Sequence, residues 1–241
     1  LNLGQPMTSE IMLLSITAAT IAFVHTLLGP DHYLPFVAMA KARGWTIAKT
    51  VKTTALFGAG HITGSIIIGL VGVYAGIQLG ALELIESTRG SFAAWALIAF
   101  GLVYMVWGIR KAYRDRPHSH GHLHGQIWHA HQHNHHDKHT HVHQEADGAL
   151  APWALFVVFV LGPCEALIPI LMYPAANQSM ATVLLVTSIF SIVTVLTMLM
   201  AVVFTVWGLK SIKLPKLERF SHALVGVTMF VCGCSITLLG L

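Results

Sequence analysis

The chain has 241 residues, 55% of them apolar and only 10% charged, with a formal net charge of +4. A globular domain in water carries about 25% charged residues, so a soluble domain is excluded and an integral membrane protein is expected. The basic residues lie between apolar segments, which gives them a topological meaning and excludes a nucleic-acid-binding surface.

Six segments meet the requirement of about 20 mostly apolar residues for a span: 11–36, 54–79, 92–113, 151–173, 180–208 and 220–241. No basic stretch, short apolar core and small-residue cleavage site precede the first, so no removable signal peptide is expected. The first span is interrupted at Gly29-Pro30 and the fourth at Gly162-Pro163. Pro lacks a backbone donor and disfavours helix in the residue before it, so both spans are expected to be bent or broken.

The interruptions share a phrase. Leu28-Gly29-Pro30-Asp31-His32-Tyr33-Leu34-Pro35 recurs, loosened by one residue, as Leu161-Gly162-Pro163-Cys164-Glu165-Ala166-Leu167-Ile168-Pro169. An opened backbone at membrane depth is tolerated only where it is buried in protein or lines a cavity. Two such openings in corresponding halves of a chain point to a transport site.

Orientation follows from charge. Lys41, Arg43, Lys49 and Lys52 lie after the first span; Arg110 and Lys111 at the end of the third, with Arg114, Arg116 and Lys138 after it; Lys210, Lys213, Lys216 and Arg219 after the fifth. The other two loops hold only Arg89, so 13 of the 14 Lys and Arg residues fall on alternate sides. The positive-inside rule then places those three loops in the cytoplasm and both termini outside a cell membrane. With three spans per half, the second half enters the membrane inverted. The expected fold is all-α, with six transmembrane helices as two inverted three-helix repeats, helices one and four broken at Gly-Pro. Residues 1–113 form the first repeat, 114–150 a cytoplasmic His-rich disordered loop, and 151–241 the second repeat.

Ionisable residues within spans are costly and mark candidate sites. His25 and His32 are seven residues apart, about 700° of helical rotation, and so share a face of an unbroken helix. Asp31 lies beside them, where a carboxylate can ligate a metal, orient an imidazole or cap the second half-helix. His61 sits among Gly58, Gly60, Gly64 and Ser65, small residues that let helices approach closely. Cys164 and Glu165 occupy the second opening, where a thiolate or carboxylate could complete a transition-metal site and Glu165 could also carry protons. Cys232 and Cys234 are expected to be small packing residues. His222 is expected at the interface, and Thr187, Ser188, Ser191, Thr194 and Thr197 either line a polar path or bond between helices.

Twelve of the 16 histidines lie between Pro117 and Gln144: His118, His120, His122, His124, His129, His131, His133, His135, His136, His139, His141 and His143. The tract has no apolar core pattern, and its composition reads as auxiliary metal capture or buffering.

On His25, Asp31 and His32, followed by Gly60-His61, the chain resembles the nickel/cobalt transporter superfamily. The likeness is strongest over residues 20–70 and in the histidine tract. Five residues separate His25 from Asp31 where the permeases have four, and six spans replace their eight. The resemblance is therefore to the smaller urease-accessory-like or efflux-like branch, often labelled sulfite exporters. It implies a secondary transporter of a divalent cation, Ni²⁺ or Co²⁺ with Zn²⁺ as a further candidate. The cation would be held by His25, Asp31, His32, His61, Cys164 and Glu165, and moved by alternating access. The metal would be substrate and not a prosthetic group, and a metallochaperone or metalloenzyme-maturation partner fits that role. The lipid bilayer is the other partner and nucleic acid is not one.

Two other functions stay open. An anion exporter for sulfite or organosulfonate would use the half-helix N-termini, but no Lys or Arg is expected inside a span. A membrane thiol-disulfide electron carrier is suggested by Gly162-Pro163-Cys164, although the matching position of the first phrase is near Asp31 and not a cysteine. An enzyme is not expected, because no HExxH pair or Gly-x-Ser-x-Gly elbow is present.

Overall fold

The computed structural model describes residues 9–114, 118–124, 127–133, 147–162, 164, 166–177, 179–210 and 219–239. Helix α1 (Ser9–Leu28) has 20 residues, about 30 Å at 1.5 Å per residue. Its last backbone bond runs from Gly29 N–H to His25 O at 3.0 Å, after which Pro30 has no donor to extend the ladder. The chain makes one 3₁₀ turn, Pro30–His32, and resumes as α2 (Leu34–Ala42). Pro35 sits in the first turn of α2, where the missing donor costs nothing.

Helix α3 (Ile47–Ala75) starts at Thr46, whose hydroxyl accepts the Lys49 N–H at 3.2 Å. It stops at Gly76, whose φ of 66° only glycine adopts without strain. Helix α4 (Leu79–Arg114) then runs for 36 residues, about 54 Å. Its start corrects the expected span of 92–113. Arg89, expected in a loop, pairs with Glu86 within one helical turn, and both continue the helix.

Strands β1 (His118–His124) and β2 (Ile127–His133) pair antiparallel, with His118 opposite His133, His120 opposite His131 and His122 opposite His129. This part of the tract, expected to be disordered, therefore carries backbone pairing. His135, His136, His139, His141 and His143 lie outside the described residues.

The second half begins with α5 (Asp147–Leu161) and α6 (Leu167–Asn177), which flank the second opening. Helices α7 (Met180–Lys210) and α8 (Ser221–Leu239) follow. Among the described residues, five helices, α1, α3, α4, α7 and α8, are long and apolar enough to cross a membrane. With 15 and 11 residues, α5 and α6 are each shorter than a hydrocarbon core of about 30 Å. The chain is thus a multi-pass membrane protein whose membrane part is helical. Large apolar side chains such as Phe92, Trp95, Phe204 and Trp207 are exposed on its surface, as a lipid-facing surface requires.

The most extensive helix contact is α4 against α8. Its backbones nearly touch: a Cβ at Gly101 would lie 2.5 Å from Phe230 N, and one at Gly226 would collide with Met105 N. Small residues allow this approach, and dispersion holds it where lipid removes the hydrophobic drive. One core gathers Phe36, Phe57, Phe159, Met198 and Met229. A second joins Ala18 and Ala22 of α1 to Cys164, Leu167 and Phe190.

Candidate functional site

The two openings interrupt the helical ladder, and side chains add to the short-range backbone bonds that replace it, His32 N–H to Gly29 O and Gly162 N–H to Phe159 O, both at 3.1 Å. At the first, His32 Nδ1 lies 3.2 Å from both Gly29 O and Asp31 Oδ1. Both partners are acceptors, so Nδ1 carries a proton and donates it. At the second, His61 Nδ1 donates to Phe159 O at 3.1 Å. The Nε2 atoms of His25, His32 and His61 are buried, with no hydrogen-bond partner among the described residues.

These rings stand together. His32 meets His25 edge-on at 5.0 Å between centroids and His61 edge-on at 5.3 Å. Of the six residues expected to hold a cation, His25, Asp31, His32 and His61 lie together. Beside them lies a cavity of about 540 Å³ whose wall includes His25, Asp31, His32, Ser87, Ser91 and Ala166, and so reaches from one opening to the other. Among the described residues, however, no group of three or more His, Cys, Asp or Glu side chains is spaced to hold a metal ion.

Around Cys164 the setting is different. Its backbone N–H points to Ser65 Oγ and Glu86 Oε2, each at 3.3 Å. Ser65 donates to the same Glu86 oxygen at 3.2 Å. Arg89 donates from Nε to Leu161 O at 3.0 Å and from Nη2 to Gly162 O at 2.7 Å. It also donates to Ser65 Oγ and to Glu86 Oε1, both at 2.8 Å. Cys164 is fully buried, Cys232 is buried and Cys234 is partly buried, and all three are free thiols. Glu165 lies outside the described residues.

Sequence reasoning missed Ser65, Glu86 and Arg89. The three-residue spacing of Glu86 and Arg89, a helical ion-pair spacing, was the available signal. The expectation that no Arg or Lys enters a span is corrected, because Arg89 lies in α4 and is mostly buried. Its charge is matched by Glu86, so it does not restore an anion site. His222 bonds Tyr104 at 3.0 Å and packs on Trp107. Of the α7 hydroxyl residues, Thr187, Thr194 and Thr197 are buried, and Ser191 turns back to the Thr187 carbonyl at 2.7 Å.

Comparison with known proteins gives one family. Residues 34–235 match the family described as cytochrome c biogenesis protein transmembrane region. No curated protein and no solved structure matches the chain. The match begins just after His25, Asp31 and His32 and includes Gly60-His61 and the histidine tract, the features on which the nickel/cobalt likeness rested. It overturns that likeness and, with it, the expected nickel or cobalt transporter. Opened helices and buried histidines serve more than one chemistry, and the geometry shows why they misled: His32 and His61 each spend one ring nitrogen on a freed carbonyl. With the match covering most of its length, the chain belongs to the family of cytochrome c biogenesis protein transmembrane regions.

Proposed function

We propose that this protein carries reducing equivalents across the cell membrane by thiol-disulfide exchange through Cys164. The observation that carries the reading is Cys164 at an opened helix in a chain of this family. The position of the first phrase that matches Cys164 holds Asp31, so an internal disulfide between the two openings is not available. The exchange therefore runs through mixed disulfides with partner dithiols.

The steps balance as follows. The Cys164 thiolate attacks one sulfur of an oxidised partner, forming a mixed disulfide and releasing one partner thiol. A thiolate of a reduced dithiol donor then attacks the Cys164 sulfur and frees the second thiol of the acceptor. The donor's remaining thiolate attacks its own bonded sulfur, which regenerates Cys164 and leaves the donor as a disulfide. Two electrons and two protons pass from donor to acceptor.

Such a carrier must present one thiol to both sides in turn. We propose that it does so as two inverted three-helix repeats, with α1–α2 and α5–α6 as the broken spans and both termini outside. The repeated Leu-Gly-Pro phrase and the alternation of basic loops support this arrangement. The cavity between the openings, with His25, Asp31, His32, Ser87 and Ser91 in its wall, would give the exchanged protons a route.

The test is disulfide reduction inside proteoliposomes that contain the full chain, with a membrane-impermeant reduced dithiol protein outside and a disulfide reporter within. The reporter should be reduced by the parent chain and by Cys232→Ser/Cys234→Ser, and left oxidised with Cys164→Ser. Reduction by Cys164→Ser at the parental rate would sink the proposal.

A further inference from the structure

The thiol-exchange reading leaves unexplained why a buried ion pair sits against the backbone that leads into Cys164. Building on that reading, we infer that Ser65, Glu86 and Arg89 are positioning residues for Cys164, a clasp from α3 and α4 that fixes the opened backbone on which the thiol is carried.

The division of labour follows charge. Arg89 serves the carbonyl side, reaching Leu161 O and Gly162 O at 3.0 and 2.7 Å. That side is the C-terminus of α5, where unpaired carbonyls and the helix dipole favour a cation. Glu86 and Ser65 serve the N–H side, both accepting from Cys164 N ahead of α6. There the unpaired donors and the opposite end of a dipole favour an anion. One ion pair thus matches the polarity of both half-helices.

The geometry also restricts alternatives. Glu86 and Arg89 are three residues apart on α4, so both side chains leave the same face of a long helix. Their source is a regular element, which holds a site more accurately than a loop does. Glu86 is wholly buried, and Arg89 is its ionic partner at 2.8 Å. Ser65 is shared by both charges and by the Cys164 N–H, so it closes the network. Gly64 makes room for the closure, since a Cβ there would lie 3.2 Å from Val160 O and 3.6 Å from Arg89 Nη2. With the clasp holding the backbone up to the Cys164 N–H, and the Leu167 N–H bonded to Cys164 O at 2.8 Å on the other side, Cys164 has one place to meet a partner sulfur.

A lysine at position 89 could keep the pair with Glu86, but its ammonium cannot fork across two carbonyls, a hydroxyl and a carboxylate. A neutral pair, Glu86→Gln/Arg89→Gln, removes both buried charges while keeping amide groups near the opening. These two variants separate positioning from simple charge balance.

The experiment uses the full chain in a Cys232→Ser/Cys234→Ser background, where a small neutral maleimide reports on Cys164 alone. Alkylation of Cys164, maximal exchange rate, half-saturating donor concentration and thermal unfolding are measured for Arg89→Lys, Glu86→Gln and the neutral pair. Alkylation is expected to rise at least fivefold in all three. The maximal exchange rate is expected to fall at least tenfold, with the half-saturating donor concentration within twofold of the parent. The neutral pair should unfold closer to the parental temperature than Glu86→Gln does, yet stay slow in exchange. Parental alkylation and parental exchange in the neutral pair would overturn the positioning role and leave charge balance alone. If the parent itself moves no electrons, the carrier reading has failed, and the alkylation rates still decide whether the clasp holds Cys164.

Discussion

Removing one partner of a buried ion pair leaves the other charge uncompensated, which costs about 3–5 kcal/mol. Glu86 is wholly buried and Arg89 mostly so, so Arg89→Ala should fall in that range when unfolding is followed in detergent. Ser65→Ala removes a neutral hydroxyl from the same network and should cost about 1 kcal/mol. The ranking is the test: if Ser65→Ala proves as damaging as Arg89→Ala, the pair is hydrated and does not bear on the opening. Residues of this kind differ in how plainly the sequence shows them. His25, Asp31, His32 and His61 stand out because each interrupts an apolar run. Their gathering was legible, whereas their use was not, because spacing cannot tell a metal ligand from a ring that donates to a freed carbonyl. Glu86 and Arg89 were hidden for a different reason. A matched pair lowers the local hydropathy enough to resemble a loop, while its members cancel each other inside the helix.

At the scale of elements, the two openings were readable because Gly-Pro acts through local sterics and a missing donor, both properties of the residues themselves. The start of α4 was not, since it depends on a partner one turn away, and the pairing of β1 with β2 has no apolar alternation to announce it. Helix contacts lie between these cases. The packing of α4 on α8 relies on absent side chains: a Cβ at Gly226 would meet the Met105 backbone, and one at Gly108 the Ala223 backbone. Backbone cannot step aside as a flexible side chain can, so Gly226→Ala should separate the helices and cost about 1–3 kcal/mol. Gly208 on α7 has open space around its position, and Gly208→Ala should be tolerated. Thermal unfolding of the two variants checks this, and equal melting temperatures would mean that α4 and α8 pack less closely than described.

For the whole molecule, sidedness is where composition and geometry meet. The basic loops carry aromatic partners at one end of the helices: Lys49 lies 5.3 Å from the Trp45 ring and Lys111 lies 5.2 Å from the Trp107 ring. Arg219 lies over Tyr113 and Phe220 at 5.7 and 5.5 Å, and donates to Ala112 O at 2.6 Å. Trp45 precedes α3, Trp107 and Tyr113 lie near the end of α4, and Phe220 precedes α8. These points share one side of the membrane if α3 and α4 both cross it, and aromatic rings with Lys and Arg are what the cytoplasmic interface selects. The turn between α3 and α4, with Gln78 exposed, then faces the other side. In a chain with all three cysteines replaced by Ser, Gln78→Cys should react with an impermeant maleimide added to intact cells. Ser119→Cys, beyond the other end of α4, should react only after the membrane is opened. Labelling of both from outside would mean that α4 does not cross. Protection of Gln78→Cys with labelling of Ser119→Cys would invert the molecule, and with it the side from which a dithiol donor reaches Cys164.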